Sequence, residues 1–500
     1  MKRKLPDKKI NKKLKINVNI IILICILLFA AFIRIYFNPV DIDDAPITYR
    51  YARNIAEGNG FVYNQGERVL GTTTPLYTII LAFFNLLGVE IFFMSNLIGL
   101  LSSLVSIFLI YKILKDNKME YVGLIAAFIL AILNDFVIYT MNGMETSFYI
   151  MLILLTLYSY SRKKYYLSSF FAALTTLTRP DGLILAIVIF GHFLITKRKI
   201  PFKSAFLFVL TLLPWLIFAI IRFGSPLPQS LIGKQFQASI ATIPFFLRIL
   251  GFFFDRAYLI LSIFFILGFL CIIKEKKLTI YATWFILYIL GYILIGIDAY
   301  AWYFIPLVPI FVLFSAIGLQ EIKLGLSKNR NKAVRFFGII FPLAVCLILV
   351  PVSFLGIQHY KTKVDPNWKN YITVSQWLGE NTDKNSTMMH GAIGYVGYLG
   401  KQRVIDSAFL VTKLPDNLNN DIIKQIYKRN YTAIYEYYRP DYVIYRNIDE
   451  VDKTEFPVWI GDNYYQIKNF TFKRTYIAED LRFKISYDDY WAIYKRNDLK

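Results

Sequence analysis

The sequence predicts an α-helical polytopic membrane protein of about eleven crossings with juxtamembrane helices, followed by a C-terminal extracytoplasmic α/β domain. Three observations predict it. Of 500 residues, 56% are hydrophobic and 18% charged, with a mean hydropathy of +0.47; this excludes a soluble, disordered or disulfide-stapled chain. Apolar runs near the roughly 20 residues that cross a bilayer recur between residues 16 and 354. The formal net charge of +22 lies between those runs, where six clusters hold 26 of the 56 basic residues against five acids in or beside them. The remainder of the chain is nearly balanced, so the excess follows the positive-inside rule rather than marking a nucleic-acid surface.

The clusters are 2–15, 112–118, 162–164, 197–203, 274–277 and 323–335. If each faces the cytoplasm, the chain must cross an even number of times between neighbours. The runs 120–138 and 146–160, 165–178 and 182–196, 205–222 and 256–273, and 278–297 and 302–319 satisfy this pairwise. The first interval holds three apolar segments, 16–37, 75–87 and 91–111. The middle one, about 13 residues long, is too short to span and is expected to lie at the interface. The run 16–37 is longer than a signal-peptide core and lacks a cleavage site, so it reads as an uncleaved anchor. The N-terminus is then cytoplasmic, the protein is multi-pass in the cell membrane, and the last crossing, 335–354, leaves residues 356–500 outside.

Residues 1–355 thus form the membrane domain, with outer loop 38–90, and 356–500 a second, polar domain. Within that domain 404–405 and 442–445 read as short buried strands, and 368–378 and 418–429 have helical spacing. Cys25, Cys271 and Cys346 sit singly in apolar runs, and His359 and His390 are too far apart for a local metal pattern.

The outer loops gather charge at the membrane rim. Residues 41–76 read DIDDAPITYRYARNIAEGNGFVYNQGERVLGTTTPL. Asp44 is placed to cap a helix with Pro46 in its first turn, ending at Gly58. Ile47, Tyr51 and Ile55 would lie on the membrane, turning Arg50, Arg53 and Glu57 toward Asp41 and Asp43. Asp43 and Asp44 point about 100° apart, so one can cap while the other stays available. Other loops add Glu145 in NGMET, Arg179 and Asp181 in LTRPDG, Arg222 and Lys234 in IRFGSPLPQSLIGK, and Asp298. Ionisable groups at this depth point to function, against plainer roles: Asp181 as a helix cap, Arg179 as a scaffold ion pair, Arg222 as a snorkelling helix end.

These blocks resemble those of the multi-spanning GT-C glycosyltransferases, in particular the branch of the mycobacterial terminal arabinofuranosyltransferase. The first loop, NGMET, LTRPDG, FGSPLPQSLIGK, IGYVGYLGKQRVIDSAFL and PDYVIY occur in the same order over most of the chain. The resemblance implies a GT-C fold, a membrane cavity opening outward, a polyprenyl-phosphate-linked sugar as donor, a cell-surface glycan or glycolipid as acceptor, and an outer domain that helps hold that acceptor. It places the family's acidic pair on Asp43 and Asp44. Pro46 replaces an aromatic residue frequent in relatives, and Trp302-Tyr303 stand where an Arg is often found.

The chemistry explains the residue types. A lipid phosphate leaves readily once its charge is stabilised, a task for Arg50, Arg53, Arg179 or Lys234. The acceptor hydroxyl needs a base, Asp43 or Asp44, and direct attack inverts the anomeric centre. Asp41, Glu145, Asp181 and Asp298 could orient the acceptor or a divalent cation, and Trp302 and Tyr303 could stack on the sugar. No other cofactor is expected, and no phosphate-cradling glycine loop indicates a nucleotide donor. The alternative reading is a flippase or transporter of lipid-linked sugars.

Overall fold

The computed structural model describes residues 17–231, 245–271, 278–296, 300–406, 409–412, 435, 437–446, 456–478 and 483–499. Its first part is helical: α1 (Val18–Phe37), α2 (Asp44–Ala56), α3 (Pro75–Leu86), α4 (Ile91–Asp116), α5 (Glu120–Ile132), α6 (Asn134–Tyr139), α7 (Thr146–Ser161), α8 (Tyr165–Thr178), α9 (Gly182–Lys197), α10 (Phe202–Phe223), α11 (Phe245–Phe253), α12 (Arg256–Cys271), α13 (Thr279–Ile295), α14 (Val308–Ser327) and α15 (Lys332–Lys363). Among the described residues five helical stretches are long and apolar enough to cross a membrane, including α1, α4, α10 and Ala301–Ser327. A sixth is added if α11 and α12, bent by 92°, make one broken span. The eleven-crossing count also enlists shorter apolar helices such as α5, α7, α9 and α13.

The expected run 120–138 is two helices. Leu133 between them is extended, at ψ 122°, and Asn134 and Asp135, which favour helix starts over interiors, open α6. The 75–87 segment is the 12-residue α3, opened by Pro75. The crossing expected to end near 354 continues to Lys363.

The second part carries α16 (Asp365–Asn381), β1 (Thr387–His390), α17 (Gly394–Gly400), β2 (Arg403–Asp406), β3 (Tyr442–Arg446), α18 (Phe456–Asn463), β4 (Tyr464–Ala478) and β5 (Phe483–Arg496). The sheet order is β2-β1-β3-β5-β4. Strands β2 and β3 run parallel to β1, and β5 is antiparallel to both β3 and β4. Both expected strands occur, as β2 and β3, and the 368–378 helix lies within α16. The 418–429 helix falls outside the described residues.

Helix α2 departs from its expected place on the membrane. Tyr51 is buried in one apolar cluster with Tyr371, Val374, Leu378 and Val396 of the second part, and Ile47 and Ile55 pack against that cluster. The apolar stripe is covered by protein instead of lipid, and burial rewards either cover equally.

Candidate active site

A cleft opens beside α2. Asp44, Thr48, Glu145, Arg179, Trp302 and Tyr303 line it, together with the Gly71–Thr74 backbone stretch and Ser230. Six sequence blocks spread between Asp44 and Tyr303 thus meet in one place, four of them carrying predicted site residues.

Arg179 is the charged centre of the floor. It ends α8 in an extended conformation, as the residue before Pro180 must, and is 5% exposed. Its Nη1 meets Glu145 Oε1 at 3.2 Å and its Nε meets Asp181 Oδ1 at 3.1 Å. Nη2 donates to the Tyr292 hydroxyl at 3.3 Å. The guanidinium lies 4.8 Å from the Tyr303 ring centre. Asp181 makes no side-chain cap to α9; its second oxygen accepts from Tyr292 at 2.7 Å and lies 3.2 Å from the Tyr288 hydroxyl. Among the described residues one cation therefore serves two carboxylates.

The three carboxylates of the first loop separate. Asp44 is half-buried on the cleft wall. Asp43 is 6% exposed and turned away. It makes no side-chain cap to its own helix, and instead its Oδ2 and Oδ1 accept from the backbone N–H groups of Gly394 (3.0 Å) and Tyr395 (2.8 Å) at the start of α17. Burial pushes its carboxyl up to about 6 even though these two donors favour the charge. Asp41 accepts from the Tyr49 hydroxyl at 2.8 Å, and burial raises it to about 7. Gly143 of NGMET, at φ +79°, completes this corner: a Cβ there would come within 2.2 Å of the Tyr49 hydroxyl and 2.5 Å of Asp41.

Arg50 and Arg53 are likewise engaged away from the cleft. Arg50 donates to the carbonyls of Tyr63 (2.8 Å), Gly397 (2.6 Å) and Gln402 (2.7 Å). Arg53 donates to Tyr398 O at 2.7 Å and stacks on that ring. Asn64 extends the same junction, trading both of its amide groups with the backbone of Val404 in β2. The first loop is therefore two things at once, one wall of the cleft and the seat of the second part of the chain. Lys234 and Asp298 lie outside the described residues.

The sequence reading missed several residues. Thr48, Thr72 and Thr74 form a hydroxyl cluster on the cleft wall, with Thr48 to Thr74 at 3.2 Å and Thr72 to Thr74 at 3.0 Å. Ser230 is 3% exposed, and its hydroxyl has no partner among the described residues. Tyr288 and Tyr292 stand one turn apart on α13, an i, i+4 polar pair in an apolar helix that could have marked them. No group of three His, Cys, Asp or Glu among the described residues is arranged to hold a metal ion.

Residues 358–494 match a family model described as a domain of unknown function, DUF8728. No curated protein matches the chain in sequence. By structure the chain is similar to ArnT from Cupriavidus metallidurans bound to undecaprenyl phosphate, with a TM-score of 0.62 at 9% identity over 95% of this chain and 97% of that one. ArnT in the apo state matches at 0.61 and 8%, with the same coverage. At such identities the likeness is one of fold, and the chain has the GT-C fold of these proteins.

Proposed function

We propose that this chain is an inverting glycosyltransferase that moves a sugar from a polyprenyl-phosphate carrier to a glycan or glycolipid acceptor at the outer face of the cell membrane. The observation that carries the reading is the joining, in one cleft of a GT-C fold, of a helix-start carboxylate, Asp44, with a buried arginine, Arg179, and an aromatic pair, Trp302 and Tyr303. Asp44 takes the proton of the acceptor hydroxyl as that oxygen bonds the anomeric carbon. The bond from that carbon to the phosphate oxygen breaks, and polyprenyl phosphate departs. Arg179 retains two N–H groups beyond the three already placed, enough to orient a phosphate. It does not neutralise one, because Glu145 and Asp181 already share its charge; the reading therefore assigns Lys234 or a divalent cation as the second positive partner. Trp302 and Tyr303 hold the sugar face, while Thr48, Thr72, Thr74 and Ser230 supply hydroxyls to its polar edge.

That ArnT was crystallised with undecaprenyl phosphate supports a lipid-phosphate donor. The order of blocks shared with the arabinofuranosyltransferase branch puts pentofuranose carriers first in a donor panel, hexose carriers second. The topology adopted is the eleven-crossing one, with the N-terminus cytoplasmic and residues 356–500 outside.

The test is sugar release from short-chain polyprenyl-phosphate sugars by the protein in nanodiscs, with and without glycan acceptors. Asp44→Asn should lower turnover by about 10² to 10⁴-fold without lowering the unfolding midpoint. Near-normal turnover in Asp44→Asn rejects Asp44 as base. Mutation-sensitive movement of intact lipid-linked sugar across the bilayer, with no transfer, would replace the reading by a flippase.

A further inference from the structure

A second cavity lies between α6, the start of α12 and the end of α15. It shares no lining residue with the cleft. Its height in the membrane follows from α15. From Arg335 in the basic cluster to Gly356 the helix rises about 32 Å at 1.5 Å per residue, roughly the thickness of the hydrocarbon core. The cavity therefore sits at head-group level on the face opposite that cluster.

Its chemistry is graded. Asn134, Asp135 and Tyr360 form the inner wall, and Asp255, Arg256 and His359 are exposed at the rim. Among the described residues neither carboxylate is in an ion pair. Asn134 is 7% exposed, and among the described residues its Oδ1 has no hydrogen-bond partner, although buried polar atoms ordinarily find one. Gly356 leaves it room, since a Cβ there would come within 2.9 Å of Asn134 Nδ2. The inner wall thus offers carboxylate and carboxamide oxygens, which call for a donor of several N–H groups carrying positive charge. Arg256 at the rim calls for an anion a few ångströms further out. Leu355 of the same wall is 59% exposed on a helix that faces lipid, so the apolar part of an occupant can continue into the bilayer.

We infer that this cavity binds the ammonium-phosphate head group of a membrane phospholipid. The primary ammonium sits between Asp135, Asp255 and Asn134 Oδ1, and the phosphate lies on Arg256. The site distinguishes head groups by hydrogen bonding. A primary ammonium presents three donors, a quaternary one presents none, and a glycerol head group has no charge to meet the carboxylates.

Native mass spectrometry of the full chain in detergent, titrated with phosphatidylethanolamine, phosphatidylcholine and phosphatidylglycerol of identical acyl chains, tests this. Phosphatidylethanolamine should bind about tenfold or more tighter than the other two, the scale set by one charge-assisted hydrogen bond. Asp135→Asn with Asp255→Asn should remove that preference, with the unfolding midpoint measured alongside. Should the double variant not fold, Asp255→Asn and Arg256→Ala, both at exposed rim positions, decide instead, each reducing phosphatidylethanolamine binding severalfold. Equal binding of the three lipids, or a preference that survives these substitutions, overturns the proposal, as does a preference for phosphatidylglycerol lost in Arg256→Ala, which would make the cavity a plain anion site.

Discussion

Arg50 separates two accounts of the first loop, a hand on the donor phosphate or a clamp on the outer domain. Arg50→Met keeps the aliphatic stem and removes the donors. The guanidinium donates to three carbonyls and to Asn64 Oδ1 at 3.2 Å, and lies 4.4 Å from the Tyr63 ring centre. The Tyr63 carbonyl keeps a second donor in Asn54 at 3.0 Å and the Gly397 carbonyl keeps the Lys401 N–H at 3.4 Å, so the carbonyl of Gln402 bears most of the loss. At about 1–3 kcal/mol for a buried acceptor left wanting, with about 1 kcal/mol for the ring contact, the substitution costs about 2–4 kcal/mol. That is a large part of the roughly 5–15 kcal/mol that holds a domain folded. The assay is thermal unfolding in detergent alongside limited proteolysis of the 356–500 region, with Arg50→Lys as the charge-retaining control. A clamp predicts an earlier midpoint and faster cleavage for Met, with Lys in between because a point donor cannot span the fork. A wild-type midpoint and cleavage pattern in Arg50→Met, combined with a raised donor KM, would refute the clamp and return Arg50 to the phosphate.

Two further outcomes follow from the buried charges. Asp43 is pushed up to about 6 from an ordinary 3.8, so the folded protein holds its proton more tightly than the unfolded chain. The stability this confers is complete below about pH 4 and is lost as the pH rises through about 6. The wild-type unfolding midpoint relative to Asp43→Asn should accordingly fall between about pH 4 and 6.5, and a flat or rising difference there would contradict it. Arg179→Gln strands Glu145 and Asp181 and should destabilise by about 3–5 kcal/mol, while adding Glu145→Gln recovers part of the loss; equal midpoints for the single and double variants would show that the pair is not coupled.

The apolar helices were legible because a bilayer imposes run length on the chain, and the strands β2 and β3 because buried strands are short apolar runs between polar ones. Glu145, Arg179, Trp302 and Tyr303 could be suspected from charge or aromatic character at helix ends. What periodicity cannot carry is the identity of the cover. The Ile47, Tyr51, Ile55 stripe reads the same beneath a lipid head group and beneath a protein domain. Nor can spacing reveal that a carboxylate serves a helix about 350 residues further on, as Asp43 does for α17. Tyr288 and Tyr292 were hidden by number, since 36 tyrosines dilute the meaning of any two.

Asp43 and Asp44 are neighbours with different employers, and on the proposed reading of Asp44 as base this couples the second part of the chain to the chemistry. The backbone that presents Asp44 to the cleft is held, one residue earlier, by α17. Gly394 marks how close the contact is: a Cβ there would fall 1.5 Å from the carbonyl oxygen of Asp43. In Gly394→Ala either α17 lifts or the 43–44 backbone shifts. A displacement of about 1 Å in a reacting geometry is enough for about a 100-fold loss of rate. Alanine favours a helix over glycine by about 1 kcal/mol, so α17 itself gains from the change and any loss belongs to the docking. Gly461→Ala, in the same domain with nothing within 4 Å of its Cβ position, controls for the substitution. The coupling predicts a large fall in kcat for sugar release with Gly394→Ala, little change with Gly461→Ala, and faster proteolysis of the outer domain only in the former. Wild-type kcat in Gly394→Ala would mean that Asp44 does not depend on the docked domain.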